Sequence, residues 1–189
     1  MKYSHEILLT LVCCSLLLSL QAQQATRPVF HSYNSIQLLN GSSVTSAALQ
    51  SVNGWQYNRF FAGAGAGADF YYQSSIPVFA EIRYDITAGS RRVQLYADGG
   101  IHLPAGNTNR QQPAKTGDFK TGRLLAAGVD YFIPYKKRAV VAGIGFSQKR
   151  ITQIADNFVW DPVIGAIHNI PVKERYEFNR IAIKLGLVF

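Results

Sequence analysis

The segment "PVFAEIRYDIT", residues 77–87, alternates without a break. Val78, Ala80, Ile82, Tyr84 and Ile86 fall on one face, and Phe79, Glu81, Arg83 and Asp85 on the other. Side chains of a β-strand point to opposite faces in turn, so this spacing specifies a strand with one apolar and one charged side. "RRVQLYADGGIH" repeats it, with Val93, Leu95, Ala97 and Ile101 opposite Gln94, Tyr96, Asp98 and His102. "RAVVAGIGFSQKR" sets Val140, Ala142, Ile144 and Phe146 against Val141, Gly143, Gly145, Ser147 and Lys149. The closing segment sets Ile181, Ile183, Leu185, Leu187 and Phe189 against Arg180, Ala182, Lys184, Gly186 and Val188. After residue 30 no amphipathic helix is legible.

Counting such segments predicts eight strands, at about 31–40, 44–53, 59–70, 77–87, 92–102, 119–132, 138–151 and 176–189. "GWQYN", "AGSR" and "PYKK" are short connections, whereas "LPAGNTNRQQPAKTGD" and "TQIADNFVWDPVIGAIHNIPVKE" are long. Long and short connections that alternate along antiparallel strands gather the short turns at one end. The expected fold is therefore all-β: an eight-stranded antiparallel up-and-down transmembrane barrel, with short periplasmic turns and longer external loops.

The N-terminus sets the compartment. Lys2 precedes the apolar run "ILLTLVCCSLLLSL" and then "QAQQATRP", in which Ala22 is a small residue at a plausible cleavage point. This is the pattern of a secretory signal peptide over residues 1–22, leaving 23–189 as the barrel domain. The run of about 14 residues is shorter than a spanning helix requires. Both cysteines, Cys13 and Cys14, lie within it, so the exported chain has no disulfide framework and no thiolate metal site. The formal charge of +8 raises nucleic acid as a partner, but an exported chain without a basic helix points instead to anionic lipid head groups or lipopolysaccharide.

The stretch "FFAGAGAGADFYY", Phe60–Tyr72, can be read as a phosphate loop, a silk-like patch or a strand. A phosphate loop needs a helix after its glycines, and "DFYYQSSIPVF" has no helical spacing. The repeat is too short for silk. As a strand it places Gly63, Gly65, Gly67 and Asp69 on one face and Ala62, Ala64, Ala66 and Ala68 on the other. The glycines leave room inside for long side chains, and the alanines meet lipid.

Eight strands close around an interior just wide enough to be filled by side chains. The inward set is Asp69, Glu81, Arg83, Asp85, Asp98, Asp130, Lys149, Arg180 and Lys184. Buried ions are tolerated only when paired, so a lumen ion-pair network is expected in place of an open pore. Aromatic residues are expected in two belts. Trp55, Tyr57, Tyr131, Phe132, Tyr135 and Phe189 fall at the short-turn end, and Phe70, Tyr71, Tyr72, Tyr176 and Phe178 at the other.

With the signal peptide, the "IRYDI" and "LYADGGI" strands and the closing "IAIKLGLVF", the chain resembles small outer-membrane β-barrel proteins of the OmpA/OmpX-like type from Gram-negative bacteria. The resemblance covers nearly all of residues 23–189 and is one of pattern more than of motif. It implies an outer-membrane location and a terminal aromatic, here Phe189, read by the barrel-assembly machinery. Leu187 stands where that family often has a second aromatic.

Some outer-membrane barrels are lipid-modifying hydrolases or acyltransferases, which need a Ser and a His with a carboxylate. His102, expected at the external rim near Asp98, is the only candidate, and no G-x-S-x-G is present. No catalytic, cofactor or metal site is assigned. A soluble lipocalin-like barrel binding a small apolar ligand is the main alternative, with the faces inverted. The 152–174 segment carries Phe158, Trp160, Ile164 and Ile167, more apolar than a solvated loop requires. Exposed, it would be an external interaction loop for a partner not named by the sequence; otherwise it folds over the mouth or extends the strands as a hairpin bent at "DPVIGA".

Overall fold

The computed structural model describes residues 27–42, 44–88, 91–105, 117–135, 138–161 and 166–189, with backbone alone for 87–88, 91, 117, 156–161 and 166–170. The proposed signal peptide, with Cys13 and Cys14, lies outside the described residues. Eight strands follow one another: β1 (Val29–Gly41), β2 (Thr45–Tyr57), β3 (Phe60–Asp69), β4 (Ser75–Ala88), β5 (Arg91–Pro104), β6 (Gly117–Tyr135), β7 (Arg138–Asp161) and β8 (Ala166–Val188). Each pairs antiparallel with its sequence neighbour, and β1 pairs with β8 from Tyr33↔Val188 to Gly41↔Arg180, so the sheet closes. Closure leaves no sheet edge around the wall. Beyond Val188, Phe189 exchanges two backbone hydrogen bonds with Ser32, at 3.1 and 3.2 Å, and thereby extends the seam.

The alternation seen in the sequence becomes the inside and outside of this wall. Outward Ile82, Ile144 and Leu185 are roughly 60 % exposed, whereas the charged face turns into the lumen. Glycines among the inward positions give close approach, as expected, but on β3 the space is taken by aromatics. A Cβ on Gly65 would lie 2.6 Å from the Phe79 ring, and one on Gly63 2.7 Å from Phe61. At β7 the occupant is a charge: a Cβ on Gly143 would lie 2.0 Å from Asp130 Oδ1.

Two expectations need correction. Of the arrangements open to residues 152–174, the extended hairpin is the one formed, so β7 and β8 run well past their predicted ends at 151 and 176. They continue together in register from Thr152↔Arg175 to Asp161↔Ala166, and beyond Ala155, the last partner of β6, they form a two-stranded hairpin. Phe158, Trp160 and Ile167 lie on its strands, and Ile164 lies outside the described residues. The hairpin outruns β1, which ends at Gly41 opposite Arg180.

The external aromatic belt is also not a belt. Tyr71, Tyr72 and Phe178 are buried, and together with Leu39, Ala48, Phe119, Ile151 and Ala182 they form an apolar cluster inside the external end. Apolar rings had two ways to leave water, and near the mouth the lumen still had volume to fill. Phe132 likewise turns inward and packs with Tyr33, Val52, Phe61, Phe79 and Val188 at the short-turn end. The outward belt at that end is made by Phe30, Trp55, Tyr57, Phe60, Tyr131, Tyr135 and Phe189, with Phe30 and Trp55 in edge contact at 5.6 Å.

Candidate functional site

The lumen is where polar chemistry concentrates. All nine ionisable residues assigned inward from the sequence lie there, none more than 6 % exposed. Eight of them fall into two clusters, and the ninth, Asp85, pairs with Arg92 apart from both.

The first cluster centres on Arg83 of β4, which reaches Glu81 through Nε and donates from Nη1 to Asp130 Oδ2 at 2.7 Å. Lys184 of β8 contacts the same Asp130 oxygen at 3.4 Å and stands 3.4 Å over the Tyr96 ring. The Arg83 guanidinium lies 4.0 Å from the centre of the Tyr33 ring, a stacking partner suited to a weakly hydrated planar cation. Asp98 is paired across the ladder with Glu81, so two carboxyl groups face the same cations. The gap among Tyr33, Glu81, Arg83, Asp130 and Lys184 measures only about 10 Å³, close to the room one water needs.

The second cluster, nearer the external mouth, centres on Asp69 at the end of β3. Arg180 Nη1 donates to Asp69 Oδ2 at 2.7 Å, and its Nη2 donates to Ser147 Oγ at 2.7 Å. Lys149 lies 3.6 Å from Asp69 Oδ1. That ammonium also donates to the carbonyls of Tyr71 and Gln73 and to Ser75 Oγ, at 3.0, 2.9 and 2.8 Å. The Tyr71 amide donates back to Asp69 at 2.8 Å. Residues 70–74 are thus pulled down into the mouth, with Tyr72 in the left-handed region at φ 61°. Tyr72 and Phe178, 4.7 Å apart, roof the cluster.

The outlying pair sits at the short-turn rim, where Arg92 donates to Asp85 at 2.9 and 3.2 Å and to Gln56 at 2.7 Å. Arg92, half-buried over Phe132, was not assigned inward from the sequence although its position opposite Val93 indicates it. Five acids therefore face five bases: Asp69, Glu81, Asp85, Asp98 and Asp130 against Arg83, Arg92, Lys149, Arg180 and Lys184.

His102 is not at the rim beside Asp98. It is buried, with Nδ1 3.1 Å from Ser75 Oγ and Nε2 3.8 Å from Asp69 Oδ2. A Ser, a His and an Asp do meet, but not in a geometry that activates the serine. The His–Asp separation is too long for a hydrogen bond, Asp69 is engaged by Arg180, and Lys149 donates to the hydroxyl oxygen. All three residues lie beneath the aromatic roof, and what the arrangement does is fix the 70–74 segment. Gln73 and Tyr71 act through backbone carbonyls, which carry no side-chain signature, and Ser75 through a hydroxyl that the alternation does not single out. The one available signal was the polar "QSS" directly after an inward Asp69 and paired tyrosines. Among the described residues no group of three or more His, Cys, Asp and Glu could hold a metal ion.

No family model matches the chain, and no curated protein matches it. Among solved structures it is similar to the crystal structure of Neisserial surface protein A, with a TM-score of 0.51 and 12 % identity over 86 % of this chain and 98 % of that one. At that identity the likeness is one of fold. The chain has the closed, eight-stranded antiparallel fold of the small outer-membrane barrels.

Proposed function

We propose that this protein is an integral outer-membrane barrel with a structural or surface-interaction role, non-catalytic, its lumen closed by the charged network. The observation that carries the reading is the inverted distribution of polarity. Nine ionisable residues are buried while Ile, Leu, Val and Phe stand outward around the wall. In water such a surface would be an aggregation hazard; in a bilayer it is the required one, because a closed barrel also pairs every backbone group internally. A lipocalin-like barrel would need an apolar interior with room for a ligand, and here ion pairs fill the middle.

The bilayer and the barrel-assembly machinery are the first partners of such a chain, with Phe189 as the assembly signal. Its ring is exposed beside Arg138, 4.5 Å from the guanidinium carbon, at the seam where β1 meets β8. The β7–β8 hairpin, which outruns β1 on the external side, is the part placed to meet an outside partner. A solved protein of similar fold, Neisserial surface protein A, is by name a surface protein, which fits this role.

The test is membrane fractionation combined with gel mobility before and after boiling. The expected result is outer-membrane material that migrates faster unboiled; a soluble periplasmic protein would overturn the reading. Removing Phe189 should lower the yield of the fast-migrating form, and an undiminished yield would show that the terminus is not the signal.

A further inference from the structure

The outward face of β6–β8 carries a one-sided band of positive charge just beyond the apolar wall. On β6, Phe119 points inward and Lys120 outward, and a register shift between Lys120 and Arg123 leaves Arg123 outward as well. Arg123 is paired directly with Arg150 of β7, and Arg150 with Glu177 of β8. One row further out, Lys120 pairs with Thr152, and Thr152 with Arg175. Lys173 follows at the next outward position of β8. Lys120, Arg123, Arg150, Lys173, Arg175 and Glu177 are all exposed, as is Asp118 in the row of Lys173, so five bases stand against two acids.

Only Arg150 is neutralised, by Glu177 at 2.8 Å. Among the described residues Lys120, Arg123, Lys173 and Arg175 have no ion-pair partner. Two arginines set directly opposite on adjacent strands repel one another, an arrangement that an anion between them would relieve. The outward positions of β4 and β5 at the same end are Ile76 and Leu103, followed by exposed Ala105, so the charge belongs to one sector and not to the whole rim.

Position decides the kind of anion. Arg123 lies two residues from Leu125, which is exposed like Phe146 and Ile181 below it, about 6–7 Å along the strand. A group bound by Arg123 and Arg150 therefore sits at head-group height while its chains lie along Leu125, Phe146 and Ile181. We propose that this sector docks the phosphorylated head group of a lipid A-type glycolipid in the external leaflet, with guanidinium forks on phosphate and acyl chains on the apolar wall below. The proposal rests on the outer-membrane reading and names the partner of one face within it.

The experiment uses the folded barrel in mixed micelles and measures retention of bisphosphorylated lipid A and of its dephosphorylated form. Wild type should retain the phosphorylated lipid at least tenfold better than the dephosphorylated one. The variant R123Q/R150Q/R175Q should lose that preference, R123K/R150K/R175K should keep part of it, and R138Q at the opposite end should keep all of it. Each variant is first checked for the fast-migrating unboiled form. Retention by the glutamine variant within twofold of wild type would overturn the proposal, as would equal retention of both lipids by wild type. Displacement of the lipid by millimolar inorganic phosphate would also overturn it, by showing a site for the free ion. Failure of the outer-membrane reading is distinguishable, because it would remove the fast-migrating form of the wild type itself.

Discussion

The two halves of the lumen solve one problem by different means. Around Arg83 every participant is a strand residue: Glu81 and Arg83 on β4, Asp130 on β6 and Lys184 on β8 are brought together by register alone. Around Asp69 the strands supply Lys149 and Arg180, but the cluster is completed by backbone carbonyls of the segment between β3 and β4. The first half is a plug made by the wall. The second is a plug made by a loop drawn inward, and so it couples the electrostatics of the lumen to the shape of the mouth.

The largest effect is expected at Asp69. It is the carboxylate contacted by both Arg180 and Lys149, so Asp69→Ala leaves two buried cations and the Tyr71 amide without it. Removing one partner of a buried pair costs about 3–5 kcal/mol, and the upper part of that range applies here. Urea unfolding in lipid vesicles, followed by tryptophan fluorescence, should show it. A midpoint within error of wild type would mean that the carbonyl cage, not the acid, holds Lys149.

Arg83→Leu should come next, at about 3 kcal/mol. Glu81 loses its cation, but Asp130 keeps Lys184 at 3.4 Å, and leucine supplies apolar volume against Tyr33. The conversion temperature from fast to slow gel mobility in detergent should fall. If Arg83→Leu proved more damaging than Asp69→Ala, the ranking of the two halves would be reversed, with Tyr33 stacking as the dominant contribution.

How much of each half was legible in the sequence follows from the same difference. Alternation with a period of two identifies a face, and the face of a closed wall is its inside, so the strand ions of both halves, Asp69, Lys149 and Arg180 as well as Glu81, Arg83, Asp98, Asp130 and Lys184, could be assigned from the sequence. Alternation also gave the strand number, because each apolar–polar segment is one crossing. It failed where the chain stops being wall. Tyr71 and Tyr72 read as interface aromatics, since nothing in a one-dimensional pattern states that a five-residue connection folds inward. β7 and β8 are predicted too short on the external side, with ends at 151 and 176, because the alternation beyond them is blurred by Asp156, Asn157 and Pro171. Backbone pairing between β7 and β8 continues through that blur, in register to Asp161↔Ala166.

The bilayer face gives a prediction that does not involve charge pairing. Ala66 lies outward on β3 beside a groove of about 740 Å³ lined by Ile36, Leu49, Ala68, Leu185 and Leu187. Ala66→Arg should oppose insertion by about 2–4 kcal/mol at mid-bilayer depth. Normal folding yield into vesicles would sink the outward assignment of the alanine face while leaving both lumen clusters untouched.

The smallest effect separates the two halves most cleanly. Ser75→Ala removes one of the three hydrogen-bond acceptors of Lys149, and the partner of His102 Nδ1. Lys149 keeps the carbonyls of Tyr71 and Gln73, so the global cost should be about 1 kcal/mol. The local effect should be larger, because the remaining contacts hold a segment in which Tyr72 already sits at positive φ. Hydrogen exchange should quicken at residues 70–74 and stay unchanged at Glu81, Arg83 and Asp130. Faster exchange at both clusters would mean that the lumen unfolds as one unit, and that the loop-built half has no independent stability to lose.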